Sequence, residues 1–252
     1  MLQETLHHGH SFFHRRDPRA KILSAAAVAW AIALCQSFPP LILATGGAAT
    51  ALFAAQLPWR DLAKRFAAVN LFLLFLWMVL PWTYGQEHIW APHTWQLSSD
   101  GLLLCLAITL KANAITGFLV VLLATSSIPE IGRGLHQLRL PDKLVFLLLF
   151  TYRYIHVIAE EWQRLFRAAQ LRGFSPGTNR RTYTTLGHML SQVFVRSFDR
   201  SQRIYQAMLL RGFTGRFHPL TASLMRPADW ILALSCIALA GGLVGWEVLL
   251  RG

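Results

Sequence analysis

The chain has 252 residues, 54% of them hydrophobic and only 14% charged, with a net charge of +12. Soluble domains carry about a quarter of their residues as charges, so the composition argues against a soluble domain. The cations fall in loops and in one long polar region between apolar runs. That pattern reads as a membrane protein with its basic loops on one side, and no nucleic-acid partner is expected. Nine Trp suit interfacial belts. Cys35, Cys105 and Cys236 lie far apart inside apolar runs, as small buried hydrophobes do.

Taken in order, residues 1–21 read as a polar cytoplasmic tail, with no cleavable signal peptide expected. Span 1 is expected at about 22–38 and span 2 at about 41–57, a tight hairpin divided by Pro39-Pro40. A short basic loop, 59–65, leads to span 3 at about 66–81. The exit at 82–100 has Trp82, Trp90 and Trp95 but no Lys or Arg, and span 4 follows at about 101–125. The final span is expected at about 228–249. The fold class is therefore all-α, a polytopic membrane protein with about five transmembrane helices. Residues 15–21 and 58–65 are basic, whereas the 38–40 turn and the 82–100 loop are not. That bias places the N-terminus in the cytoplasm and the C-terminus outside.

The expected organisation is a tail (1–21), four spans (22–125), a cytoplasmic or interfacial coupling-helix region (126–226), and a last span with the C-terminus (227–252). The third of these carries 15 Lys and Arg against 5 Asp and Glu. It reads as several helices. Ser126 or Ser127 caps one that starts at Pro129-Glu130. Pro141 opens a longer one that is apolar first and charged later, ending near Arg172 with Gly173 as its C-cap. Another runs from about 184 to 211 and is capped by Gly212.

The two long helices end alike. Phe166-Arg-Ala-Ala-Gln-Leu-Arg-Gly-Phe174 and Tyr205-Gln-Ala-Met-Leu-Leu-Arg-Gly-Phe213 repeat 39 residues apart. Arg164, Ala168 and Arg172 share a face by their spacing, as do Arg196, Arg200, Arg203, Ala207 and Arg211. Ala permits close approach by another helix. Arg in the last turn offers a rigid donor fork and complements the negative helix end. Gly stops the helix so that Arg stays at the tip, and Phe174 or Phe213 follows as an apolar knob for a partner pocket. Such a device docks; it does not catalyse. The ordinary alternatives are a plain helix ending and Arg snorkelling to anionic lipid.

Together with Asp17-Pro18-Arg19-Ala20-Lys21, Ser127-Ile-Pro-Glu-Ile131, Leu138-Arg-Leu-Pro141 and Tyr152-Arg-Tyr-Ile155, the paired segments resemble a known family. It is the transmembrane T component of energy-coupling-factor transporters, and the chain is most similar to the Q subunit of bacterial cobalt importers. The likeness covers roughly residues 12–245. The family's short motif is often Ala-Arg-Gly, whereas this chain has Leu171-Arg172-Gly173 and Leu210-Arg211-Gly212. The resemblance implies a non-catalytic scaffold in the bacterial inner membrane. It implies two copies of an ATPase subunit, a membrane substrate-binding subunit and a small accessory membrane subunit as partners. ATP and Mg would be bound by the ATPase partners and cobalt carried by the substrate subunit, with no cofactor in this chain. Ala168, Arg172, Gly173, Ala207, Arg211 and Gly212 would form the ATPase-coupling interface, and the apolar surface around 130–150 and 184–210 would meet the substrate subunit.

The remaining polar features read more plainly. His7, His8, His10 and His14 suggest a metal, but no Cys or carboxylate cluster joins them, so no metal site is assigned. Lys111 is an intramembrane polar site, with an inward-facing Lys bonded to a carbonyl, Asn113 or Thr116 as the simpler reading. Glu160 and Glu161 are expected to pair with Arg164 and Arg167 on the helix surface. Gly132-Arg133-Gly134 lacks the spacing of a phosphate loop. Competing readings are a nickel or vitamin importer subunit, a lipid-modifying membrane enzyme, which needs acidic metal-binding pairs, and a secondary transporter, which needs repeated spans.

Overall fold

The structure, a computed structural model, describes residues 16–83, 88–90, 97–214 and 227–251. Eight helices lie among them: α1 (Pro18–Leu34), α2 (Phe38–Ala55), α3 (Trp59–Thr83), α4 (Ser99–Leu122), α5 (Ile128–Gln137), α6 (Asp142–Leu171), α7 (Arg180–Leu210) and α8 (Pro227–Arg251). Between α3 and α4, β1 (His88–Trp90) and β2 (Leu97–Ser98) pair antiparallel, with Trp90 opposite Leu97. The histidines at 7, 8, 10 and 14, as well as Trp95, lie outside the described residues.

Four helices, α2, α3, α4 and α8, are long and apolar enough to cross a membrane. The 17 residues of α1 span about 25 Å, short of a hydrocarbon core of about 30 Å. Three expected boundaries move, each for a local reason. First, α1 starts at Pro18, because the Asp17 carboxylate accepts the Arg19 N–H at 2.9 Å and Pro18 sits at the first helical position. The tail therefore ends before residue 21. Second, the α1–α2 turn is at 35–37 and the two prolines fall in the first turn of α2, where a missing N–H costs nothing. Third, the expected basic loop at 59–65 is the start of α3.

The chain divides into two compact units. One holds α1–α4, most of α5, and α8; the other holds the end of α5 with α6 and α7. In the first unit, α1 packs along α8 and α4, and α2 along α4. Its core is built from small side chains: Val28, Ala31, Cys35, Ala44, Ala48, Ala114 and Ala240, with Ile32, Leu41, Phe118 and Leu243. Small residues let helix backbones approach where lipid supplies no hydrophobic drive. A Cβ on Gly117 would lie 3.0 Å from the Ala48 Cβ. The α3 side chains Leu71, Phe72, Leu74, Phe75 and Met78 face outward.

Polar bonds fix the ends of these helices. Ser37 does not cap α2 with its own hydroxyl. The buried Glu247 carboxylate from α8 instead holds the turn before it, accepting from Gln36 N at 3.0 Å and Ser37 N at 3.1 Å. At the other end of α8, buried Asp229 accepts from Asp17 N at 3.2 Å and lies 3.7 Å from the Arg16 guanidinium. Between α3 and α4, Asn70 and Asn113 exchange amide hydrogen bonds at 3.0 and 3.2 Å, and Trp77 donates to the Thr109 hydroxyl.

Replacing Glu247 with Ala leaves the N–H groups of Gln36 and Ser37, in the turn before α2, without their acceptor. A loss of about 1–3 kcal/mol is expected, read as a lower midpoint of thermal unfolding in detergent, with Glu247→Gln falling between Ala and the parent.

Candidate docking site on the paired helices

The second unit explains how the repeated segment works locally. At the end of α6, Arg172 is the C-cap and Gly173 has φ +82°. Gly173 N donates to the Gln170 carbonyl and Phe174 N to the Ala169 carbonyl, both at 3.0 Å. At the end of α7, Arg211 is the C-cap and Gly212 has φ +78°. Gly212 N donates to Leu209 O and Phe213 N to Met208 O, again at 3.0 Å. These are two copies of one Schellman cap, in which a left-handed residue folds the chain back onto the open carbonyls. Helix α5 ends the same way, with Leu140 N bonded to Leu135 O and Arg139 N to His136 O. There the left-handed position at φ +64° is held by Arg139.

Arg172 and Arg211 are exposed, and neither forms an ion pair among the described residues. Ala168 and Ala207 are exposed one turn earlier, and Leu171 and Leu210 beside the tips are 91% and 90% exposed. Each tip thus presents a cation, a smooth Ala and an apolar Leu. The two Phe behave differently from the expected free knobs. Phe174 packs edge-on against Phe166 with ring centroids 6.2 Å apart, and Phe213 stacks on Phe146 at 5.8 Å. Both are half-buried, so they pin the chain beyond each cap instead of projecting toward a partner.

The expected arginine stripes also divide. Glu160 does pair with Arg164, at 3.3 Å on the surface. Glu161 is instead buried and reaches across to α7, where it accepts a hydrogen bond from Arg196 and lies 3.7 Å from Arg200. Arg164 stands 4.0 Å away on the same helix. Arg196 and Arg200 therefore hold the helix pair together. Sequence spacing alone could not reveal this, because it reports a shared face and not which neighbour covers it. The hydrogen bond from Arg196 and the surrounding guanidiniums hold the Glu161 carboxyl below its ordinary value of 4.5, against the opposing effect of burial.

Lys111 of α4 donates to the Ala33 carbonyl at 3.2 Å. Ala33 lies in the last turn of α1, where carbonyls have no partner within the helix and the dipole favours a cation. Lys21, read as part of the basic tail, is fully buried and donates to Thr125 Oγ1 at 3.2 Å and Ser126 Oγ at 2.7 Å. Beside it, Glu130 accepts from Ser127 N at 3.0 Å, the return half of a capping box. The only hint of this in the sequence is the Ser-x-x-Glu spacing. Among the described residues, no group of three His, Cys, Asp or Glu could hold a metal ion.

The structure is thus that of a multi-pass helical membrane protein with a pair of identically capped, exposed cationic helix tips. The family described as "Cobalt transport protein" (CbiQ) matches residues 9–221, and the chain belongs to this family. It is a transmembrane T component of the energy-coupling factor transporters, a transporter subunit and not an enzyme. Membership implies ATPase and substrate-binding partner subunits. The chain is 25% identical over 254 residues to the "Energy-coupling factor transporter transmembrane protein EcfT" of Listeria innocua, covering 94% of each. It is 27% identical over 154 residues to the "Cobalt transport protein CbiQ" of Rhodobacter capsulatus, covering 59% of this chain and 62% of the other. An EcfT from Exiguobacterium sibiricum is 24% identical over 228 residues, covering 82% of this chain and 83% of the other.

Two outcomes follow from the caps and the buried carboxylate. Nothing lies within 4 Å of a Cβ built on Gly173 or Gly212, so Ala at either position costs backbone strain alone, about 1–2 kcal/mol. Arg139→Gly relieves the same strain and raises the thermal midpoint, whereas Gly173→Ala lowers it. Glu161, with its lowered pKa, contributes fully above pH 4.5 and loses that contribution as pH falls through its depressed value. Amide exchange in α6 and α7, corrected for its intrinsic pH dependence, is therefore expected to stay protected down to the ordinary carboxylate range and to accelerate below it.

Proposed function

We propose that this chain is the scaffold of an ATP-driven cobalt importer, and that Arg172 and Arg211 are its two anchors on a pair of ATPase subunits. The observation that carries this reading is the matched pair of caps, each leaving an exposed Arg with no ion pair among the described residues. A guanidinium fork at a helix end suits a carboxylate or a run of carbonyls. Ala168 and Ala207 let the partner surface come close, and Gly173 and Gly212 stop each helix at the Arg. ATP and Mg belong to the ATPase partners and the cobalt ion to a membrane substrate-binding subunit, with a small accessory membrane subunit completing the set. Closure of the ATPase pair moves the two tips, and the scaffold passes that movement to the substrate subunit. Lys111 serves the fold by closing the end of α1. The bias of basic residues along the sequence supports an N-terminus in the cytoplasm of a bacterial inner-membrane protein.

The cobalt assignment is supported by the matching family's description and by the Rhodobacter relative. A T component serving a different substrate subunit, such as one for nickel or a vitamin, is the second reading. It is supported by the EcfT relatives, one of which aligns over 94% of both chains.

The double variant Arg172→Glu, Arg211→Glu is expected to insert normally and to lose co-purification of the ATPase subunits, with each single variant intermediate. Undiminished ATPase recovery with the double variant overturns the anchor role. Uptake of cobalt(II) against nickel(II) by cells carrying the complete transporter decides between the two substrate readings.

A further inference from the structure

Glu161 lies eleven residues before Arg172, and Arg200 lies eleven residues before Arg211. The two are 3.7 Å apart. The helices run antiparallel, since Glu161 meets Arg196 while Phe146 meets Phe213. The ion cluster therefore sits midway between the two Arg-Gly tips. At 1.5 Å per residue, each tip is about 16 Å from it along its helix, and the tips are about 33 Å apart.

Little else fixes that geometry. Of the 30 residues of α6 only Val145 and Glu161 are buried, and of the 31 of α7 only Thr182, Met189 and Val193. Between the cluster and the Phe146–Phe213 contact the helices part around a cleft of about 560 Å³, with Phe150, Tyr154, Ile158 and Ile204 on its walls. A pair of long helices with so few buried apolar side chains gains little orientation from packing. The central cluster supplies it through a buried carboxylate gripped from both helices, where directional hydrogen bonds restrict angle as well as distance.

We propose that Glu161 is a positioning residue for energy coupling: with Arg196 and Arg200 it sets the separation and angle of the two Arg-Gly tips, so that both engage their ATPase subunits at once. This rests on the docking role of the tips, but its consequence is separate from theirs. Removing both tips abolishes docking. Removing Glu161 leaves both tips intact and lets their spacing wander.

Nitroxide labels at Leu171→Cys and Leu210→Cys, in a chain with Cys35, Cys105 and Cys236 replaced by Ala, report the tip distance by double electron–electron resonance. The expected result is a narrow distribution near the helical spacing in the parent chain. Glu161→Gln, which keeps the shape and removes the charge, is expected to broaden it, and Glu161→Asp, which keeps the carboxylate, to hold it narrow. In the co-purified complex, Glu161→Gln is expected to retain the ATPase subunits but to lower ATP hydrolysis per complex by roughly tenfold. A distribution as narrow in Glu161→Gln as in the parent overturns the proposal, and so does full hydrolysis despite broadening. Helical circular dichroism equal to that of the parent separates a repositioned pair from an unfolded one. If Arg172→Glu with Arg211→Glu fails to release the ATPase subunits, the docking role falls while the distance measurement still judges Glu161.

Discussion

Within the hydrocarbon core of a bilayer no water takes up a helix's end groups, so each open N–H and C=O there must be met by the protein itself. Much of the membrane unit follows from that requirement. Glu247 reaches from α8 to receive the N–H groups of Gln36 and Ser37 in the turn that leads into α2. Lys111 reaches from α4 to a last-turn carbonyl of α1. Asp229 receives the N–H of Asp17 just before α1 begins. An intramembrane ion is expensive unless it is satisfied. Here the expense goes into helix ends, so the same groups that would otherwise be liabilities fix where the helices start and stop.

The paired helices solve a different problem. They keep few side chains out of solvent and leave Leu144, Leu147, Phe194, Phe198, Leu171 and Leu210 open. A unit with so little core of its own is built to be completed by partners. Its internal order comes from polar and aromatic devices: two Schellman caps, the two Phe that lock the chain behind them, and the Glu161 cluster. The tips are thus well defined although the helices that carry them are thinly packed.

Much of this was legible in the sequence, because helix ends are written locally. The Pro141 start, the Arg172-Gly173 and Arg211-Gly212 stops, and Ser127 before Pro129-Glu130 all depend on neighbours within a few residues. Span boundaries were less legible. Apolar runs report where hydrocarbon is wanted, whereas a helix continues as far as its caps allow, which is why α3 begins at Trp59 and α1 at Pro18. Least legible were partnerships across helices. Glu161 and Lys21 looked like surface charges, and their burial depends on residues 35 and 105 positions away. Periodicity carries no information at that range.

The antiparallel pair ends in matching caps, and Glu161 and Arg200 occupy corresponding positions, each eleven residues before its cap Arg. In a true symmetric dimer of identical helices, a residue on the axis faces its own copy. Glu would meet Glu, and Arg would meet Arg, each a repulsion in a buried place. Carrying both helices in one chain removes that restriction. The two ends can remain alike while the centre is made of unlike charges that attract.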